Sequence, residues 1–310
     1  MSKHGGQLIK ASQKYGIPLE DWLDLSTGIN PVSYPVKNIP ASVLNQLPEN
    51  DDRLIHAAKA YYKTQNVLTV SGSQWAIEQL PFLFPISRVG VINPSYYEHA
   101  LQWQKAGHQI IEIIEGEVDN CLSDIDILII INPNNPTGKF FSKKQLLSWH
   151  DSLQKKGGTL IIDEAFMDIT PNKSLVSDNM PESLIILRSI GKFFGLAGIR
   201  IGFVIAEPKF LLRLKKCQGL WAISNTSAWI AEQALRDLVW QKKMRLQLPV
   251  MRKKTVKWLE SIGLRVSCAT DLFIYVQTEE AEKIYLSLAK QGVLVRYFEE
   301  DNSLRFGLIK

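Results

Sequence analysis

Ser189-Ile190-Gly191-Lys192-Phe193-Phe194-Gly195-Leu196-Ala197-Gly198-Ile199-Arg200-Ile201-Gly202 is the stretch on which the reading of this chain turns. Lys192 follows a glycine, lies in a run punctuated by small residues, and is followed by Arg200. Small neighbours let a flat ring approach the backbone. Lysine is a side chain whose amine becomes a nucleophile or base when its pKa is depressed. The Ser189 hydroxyl and the Arg200 guanidinium are suited to hold an anion. The set suits a Schiff-base lysine beside a phosphate clamp. Taken alone, it also fits a glycine-rich loop carrying an exposed lysine.

Two upstream segments narrow the choice. The apolar run from Ile125 to Ile131 leads into Asn132-Pro133-Asn134-Asn135-Pro136-Thr137-Gly138. A buried parallel strand ending in such a turn puts amide side chains at the carboxyl edge of a sheet, where open α/β sheets bind ligands. Thr159-Leu160-Ile161-Ile162-Asp163 reads as another buried strand, and it ends in a carboxylate. A carboxylate there is costly unless paired. A protonated pyridine nitrogen is a fitting partner; a helix cap or a salt bridge would serve as well.

Together the three segments resemble the fold-type I enzymes that use pyridoxal 5′-phosphate, and within them the histidinol-phosphate aminotransferase branch. His4-Gly5-Gly6 and Asp24-Leu25-Ser26-Thr27-Gly28-Ile29-Asn30-Pro31 are similar to the threonine-phosphate decarboxylases of cobalamin biosynthesis, as is Gly191 before the lysine. The fold implied is α/β. A large domain with a mostly parallel sheet is joined to a smaller α+β carboxyl-terminal domain. The activity implied is loss of CO2 from O-phospho-L-threonine to give (R)-1-aminopropan-2-yl phosphate. Histidinol-phosphate transamination is the alternative, and a non-catalytic binding protein of the same fold a third.

The resemblance also implies roles. Lys192 carries the cofactor aldehyde. Asp163 pairs with the pyridine nitrogen, Asn135 donates to the ring's phenolic oxygen, and Tyr96 stacks on the ring. Many aminotransferases have a tyrosine donor at the place of Phe166. Gly72, Ser73 and Gln74 cradle the cofactor phosphate, opposite Ser189 and Arg200; an ordinary capped helix is the competing reading of that turn. His99 orients Asp163 from behind. Arg305 takes the substrate carboxylate and Arg296 its phosphate, with His4, Gly5, Gly28 and Asn135 completing the substrate side. At Gly28 only a backbone amide is on offer. Structural salt bridges are the competing reading of both arginines. Trp221 is expected to wall the pocket. Leu47 stands where relatives present a tyrosine to the partner subunit.

Composition agrees with a well-cored protein: 310 residues, 45% hydrophobic and 22% charged. The net charge of +5 is modest and its basic residues are dispersed, which argues against nucleic acid and suits small anions. Cys121, Cys217 and Cys268 lack zinc-ligand spacing and are odd in number, which favours free thiols in a reducing cytoplasm. No apolar run approaches the length of a membrane span. The expected partners are a small phosphorylated amino acid and a second copy of the chain, as a homodimer.

Apolar β-rich segments alternate with helical patterns. Strands are expected near Val67–Val70, 89–93, 110–114, 125–131, Thr159–Asp163, 184–187 and 201–205. One long helical stretch is expected from 227 to 262. Short strands follow at 264–267, Phe273–Gln277, 293–297 and 304–307, with a helix near 280–291. The expected organisation is an amino-terminal arm over 1–35 packing on the small domain, a large cofactor domain over 36–215 and a small domain over 216–310.

Overall fold

A computed structural model describes residues 5–48 and 52–310. The strands, in chain order, are β1 (Leu23–Leu25), β2 (Val67–Val70), β3 (Arg88–Asn93), β4 (Gln109–Ile114), β5 (Ile127–Ile131) and β6 (Thr159–Asp163). They continue with β7 (Leu184–Ser189), β8 (Gly202–Ile205), β9 (Cys268–Ala269), β10 (Phe273–Gln277), β11 (Val293–Phe298) and β12 (Ser303–Gly307). They form two sheets, each in its own compact unit.

The larger unit comprises Tyr34–Asn135 and Lys139–Gln241. Its seven strands run in the order β2-β8-β7-β6-β5-β3-β4. Strands β3 to β7 pair in parallel, while β8 is antiparallel to both β7 and β2. Strands β5 and β6 are buried at every position, which is why they read as unbroken Ile/Leu runs rather than as alternation. Burying each such side chain stabilises the fold by about 1.5–3 kcal/mol. One layer of core joins Val91, Ile129, Ile161 and Leu187 from the sheet to Ile77, Trp103 and Phe210 from the flanking helices. The parallel strands bring Asn93, Ile131, Asp163 and Ser189 to one edge. Because β8 reverses direction between β7 and β2, the end of β2 at Val70 arrives at that edge too.

The smaller unit comprises Met1–Ser33, Pro136–Gly138 and Lys242–Lys310. Its sheet runs β1-β11-β12-β10-β9, with β1 parallel to β11 and the other pairs antiparallel. Trp22, Ala289 and Leu294 pack with Ala11 beneath the helix Leu8–Tyr15. The amino-terminal segment therefore packs on this unit through a strand, β1, that sequence patterning missed.

Three other expectations change. The long helical stretch is two helices, Asn225–Arg236 and Leu238–Ser261. The break is Asp237, whose backbone leaves the helical region at φ −83 and ψ 79. The strand expected near 264–267 forms instead at Cys268–Ala269. Residues 216–241 stay with the larger unit, because helix Asn225–Arg236 packs against helix Asp52–Tyr62. No described helix is long and apolar enough to cross a membrane.

Candidate active site

Five turns at the carboxyl edge of the seven-stranded sheet carry the site. Lys192 lies in the turn after β7, half-buried, behind the fully buried Phe193 and Phe194. Its Nζ sits 5.5 Å from the centre of the Phe166 ring, which comes from the turn after β6. Phe166 offers the amine a π face and no hydroxyl.

Asp163 ends β6 and is 4% exposed. One carboxylate oxygen accepts the Ala165 backbone N–H at 3.0 Å. The other lies 3.1 Å from Nε2 of the buried His99. The expected support of Asp163 by His99 is thus present.

Asn135 is positioned by its neighbours. The Asn132 side chain makes two bonds to the Phe141 backbone, at 3.1 and 2.9 Å, which close the loop. The Asn132 N–H donates to the Asp163 carbonyl at 2.9 Å, tying this loop to the carboxylate. Asn134 Nδ2 donates to the Pro94 carbonyl at 2.9 Å, tying it to the turn that holds Tyr96. These bonds hold the Asn135, Asp163 and Tyr96 turns together.

The anion cradle follows from register. Gly202 of β8 pairs with Val70 on one side and Ser189 on the other. This places the turn after β2, the end of β7 and the Arg200 segment side by side. A Cβ on Gly202 would lie 2.4 Å from the Ser73 nitrogen. A Cβ on Gly72 would lie 2.8 Å from Nη2 of Arg200. Two bare Cα atoms therefore let the Arg200 guanidinium lie against Gly72 and the Ser73 amide lie against β8. Gly72 has φ +85 and Arg200 φ +55, so both bend the chain in the left-handed region. Ser189 is 9% exposed, and its Oγ accepts the Gly191 N–H at 3.3 Å. The Gln74 side chain is turned elsewhere: Oε1 accepts from the Tyr96 hydroxyl at 3.2 Å, and Nε2 donates to Glu78 and Glu98 at 3.1 Å each.

Burial first, then the Glu98 and Asp163 carboxylates, push the Tyr96 phenol far above its usual range. Tyr96 thus stays neutral across any working pH. The edge brings together an amine, a buried carboxylate, an amide, a neutral phenol and an anion cradle. That donor set suits a phosphorylated, protonated heterocycle.

The model of the family described as aminotransferase class I and II matches residues 39–308. The chain belongs to that family. It is 44% identical to a threonine-phosphate decarboxylase of Pseudomonas aeruginosa, over 99% of this chain and 93% of the other. A second threonine-phosphate decarboxylase, from a Sinorhizobium species, is 34% identical over 98% and 92%. The structure is similar to a histidinol-phosphate aminotransferase of Sinorhizobium meliloti solved in complex with pyridoxal 5′-phosphate. There the TM-score is 0.82 at 17% identity, covering 98% of this chain and 90% of that one.

In this aminotransferase-family chain the expected substrate residues lie in the smaller unit. Arg305 on β12 is 7% exposed; its Nη2 donates to the Ser26 carbonyl at 3.0 Å, and its guanidinium lies 5.5 Å from the Phe273 ring centre. Arg296 on β11 is its direct cross-strand partner, and its guanidinium lies 5.0 Å from the Phe298 ring centre. Opposite residues share a face, so two like charges are placed on one side of the sheet. Gly5 and Gly28 are both present around the β1 turn. A Cβ on Gly5 would lie 2.4 Å from the Ser26 carbonyl oxygen, and Ser26 Oγ accepts the Gly6 N–H at 2.8 Å. Gly28 is buried. His4 lies outside the described residues. Trp221 is 58% exposed, so its indole lies mostly in solvent.

Sequence reasoning passed over three structural supports. Gly202 was in view, but its role depends on strand register. Glu98 stands two residues after Tyr96, and nothing in its spacing announces two amide donors. Arg188 sits fully buried beside Ser189, bonded to Glu164 at 2.6 Å and to Asp168. A charged residue inside an apolar strand was the one signal for it.

Proposed function

We propose that this chain is a pyridoxal 5′-phosphate-dependent decarboxylase of O-phospho-L-threonine, forming (R)-1-aminopropan-2-yl phosphate in cobalamin biosynthesis. The observation that carries the reading is the likeness to a threonine-phosphate decarboxylase along 99% of the chain, cofactor edge and arginine strands included. The residues fit the cofactor. The bare Cα of Gly72 admits the Arg200 guanidinium that a methyl group would displace, and the Asp163 carboxylate is already held from behind by His99.

The chemistry that bound pyridoxal phosphate would supply is an electron sink for the pair left when a bond at Cα breaks. Backbone amides of Gly72, Ser73 and Gln74, with Ser189 and Arg200, would hold its phosphate. Asp163 would keep the pyridine nitrogen protonated. Asn135 would donate to the phenolic oxygen, and Phe166 adds no second donor. Tyr96 would lie against the ring as a neutral phenol. Lys192 would anchor the cofactor, and its Nζ would be the group that holds and returns the proton needed at Cα.

Arg305 and Arg296 suit a substrate with two anionic groups, a carboxylate and a phosphate. Such a ligand would offset the two like charges that the strand pair brings opposite each other. A carboxylate gripped hard by arginine resists leaving as neutral CO2. Arg305 already spends a donor on the Ser26 carbonyl, which loosens that grip. A phosphate contact from Arg296 would supply remote binding energy that orients the substrate for loss of its carboxylate. Asn135, Gly5 and Gly28 complete the substrate side. The working form is a homodimer, and a reducing cytoplasm suits cysteines that form no disulfide among the described residues.

The test uses purified protein loaded with pyridoxal phosphate. Phosphothreonine should release CO2 with no keto-acid acceptor present. Turnover of histidinol phosphate that needs an acceptor and releases no CO2 would reverse the assignment.

A further inference from the structure

Glu98 is a buried carboxylate, 7% exposed, at the start of the helix Glu98–Lys105. One of its oxygens, Oε2, accepts two side-chain amides: Gln102 Nε2 at 2.9 Å and Gln74 Nε2 at 3.1 Å. Gln102 is one turn along the same helix. Gln74 belongs to another, Ser73–Gln79, which starts at the anion cradle. An amide can flip by exchanging its oxygen and nitrogen. Here the flip is decided by charge. Glu98 and Glu78 both face Gln74 Nε2, and turning Oε1 toward them would set three oxygens against one another. Both N–H groups are therefore committed to carboxylates, and Oε1 points to the Tyr96 hydroxyl at 3.2 Å. The phenol proton goes to that oxygen.

The relay spans two helices that pack on each other but rise from strands far apart in the sheet. It links the segment proposed to hold the cofactor phosphate to the side chain proposed to face its ring. We propose that Glu98 is a positioning residue. By fixing the Gln74 amide it holds the Tyr96 hydroxyl, and so the Tyr96 ring, in the orientation that receives the cofactor. The inference rests on the cofactor reading above for its consequence and on the hydrogen bonds alone for its existence. A purely structural Glu98 would support the helix packing and leave Tyr96 unaffected.

A double-mutant cycle separates the two. Cofactor-free protein is titrated with pyridoxal phosphate for the wild type, E98Q, E98A, Y96F and the E98A/Y96F pair. E98A should weaken binding about tenfold, the scale of one mis-set buried hydrogen bond. E98Q keeps an acceptor oxygen and should stay within about threefold of wild type. The pair should bind no more weakly than Y96F alone, because the loss is shared. Losses that multiply in the pair, or an E98A variant that melts lower with unchanged affinity, overturn the relay.

A second measurement needs no cofactor and covers a poorly folding E98A. The ring 13Cζ resonance of Tyr96, identified by its disappearance in Y96F, should move in E98L, which keeps the bulk and removes the acceptor. A resonance that stays in place overturns the proposal. Should wild-type protein bind no pyridoxal phosphate, the proposed function fails, and this resonance still judges the relay.

Discussion

Gly202 makes the anion cradle possible, and one methyl group would test it. A Cβ there meets the Ser73 nitrogen at 2.4 Å, the Gly72 carbonyl carbon at 2.8 Å and the Arg188 oxygen at 3.1 Å. All three are backbone, so none rotates away. G202A should push the turn after β2 outward and weaken pyridoxal phosphate binding by about tenfold or more, as overpacking of a tight site does. Equilibrium titration reads the loss, and unchanged far-ultraviolet circular dichroism shows that the sheet survives. At this scale the positions of Lys192, Asp163 and Asn135 were legible: each was expected after an apolar run, and each lies at or just beyond the end of a strand, β7, β6 and β5. The Gln74–Glu98 contact was not legible, since it joins two turns from non-adjacent strands. Trp221, expected to wall the pocket, has its backbone in the left-handed region and is largely exposed in this chain.

At the level of elements, the ends of β6 and β7 serve two faces at once. Successive residues in a strand point to opposite sides. Ser189 faces the cradle and Arg188 the interior; Asp163 meets His99 while the next residue, Glu164, meets Arg188. Glu164 also accepts the Ser174 hydroxyl at 2.5 Å and the Leu175 N–H at 3.2 Å. Burial opposes charge on Arg188, but the Asp168 and Glu164 carboxylates outweigh it and drive its pKa higher still. Removing the cation strands two buried carboxylates. R188M should therefore destabilise the protein by about 3–5 kcal/mol, read from urea unfolding. An effect under about 1 kcal/mol would show that the pair contributes little beyond a surface bridge. The strand itself was plain from its apolar residues. The partners of Arg188 were not, because they come from another strand and the short helical turn after it. Likewise the helix break at Asp237 has no glycine or proline to announce it, and β1, three residues long, is too short for its Leu-Asp-Leu alternation to stand out.

For the whole molecule, tyrosines set the alkaline limit. Burial raises the Tyr62 phenol well above the ordinary 10.0, with the Asp168 charge adding to it. Tyr96 is raised in the same direction, again mainly by burial. Above the ordinary value the unfolded chain releases these protons while the native state keeps them. Their contribution to stability is thus complete below about pH 10 and drains away as pH climbs toward the raised values. Urea midpoints measured across that range should decline, and Y62F should flatten part of the slope. Two domains were legible from the change of pattern late in the chain. Their interleaving was not, since the smaller unit is assembled from three separate stretches.

That interleaving bears on how the protein is made. Strand β1 leaves the ribosome long before its neighbour in the sheet, β11, residues Val293–Phe298. Both stretches of the larger unit are made before those residues exist. Throughout elongation the nascent amino-terminal segment has no edge to join, and the larger unit has time to close first.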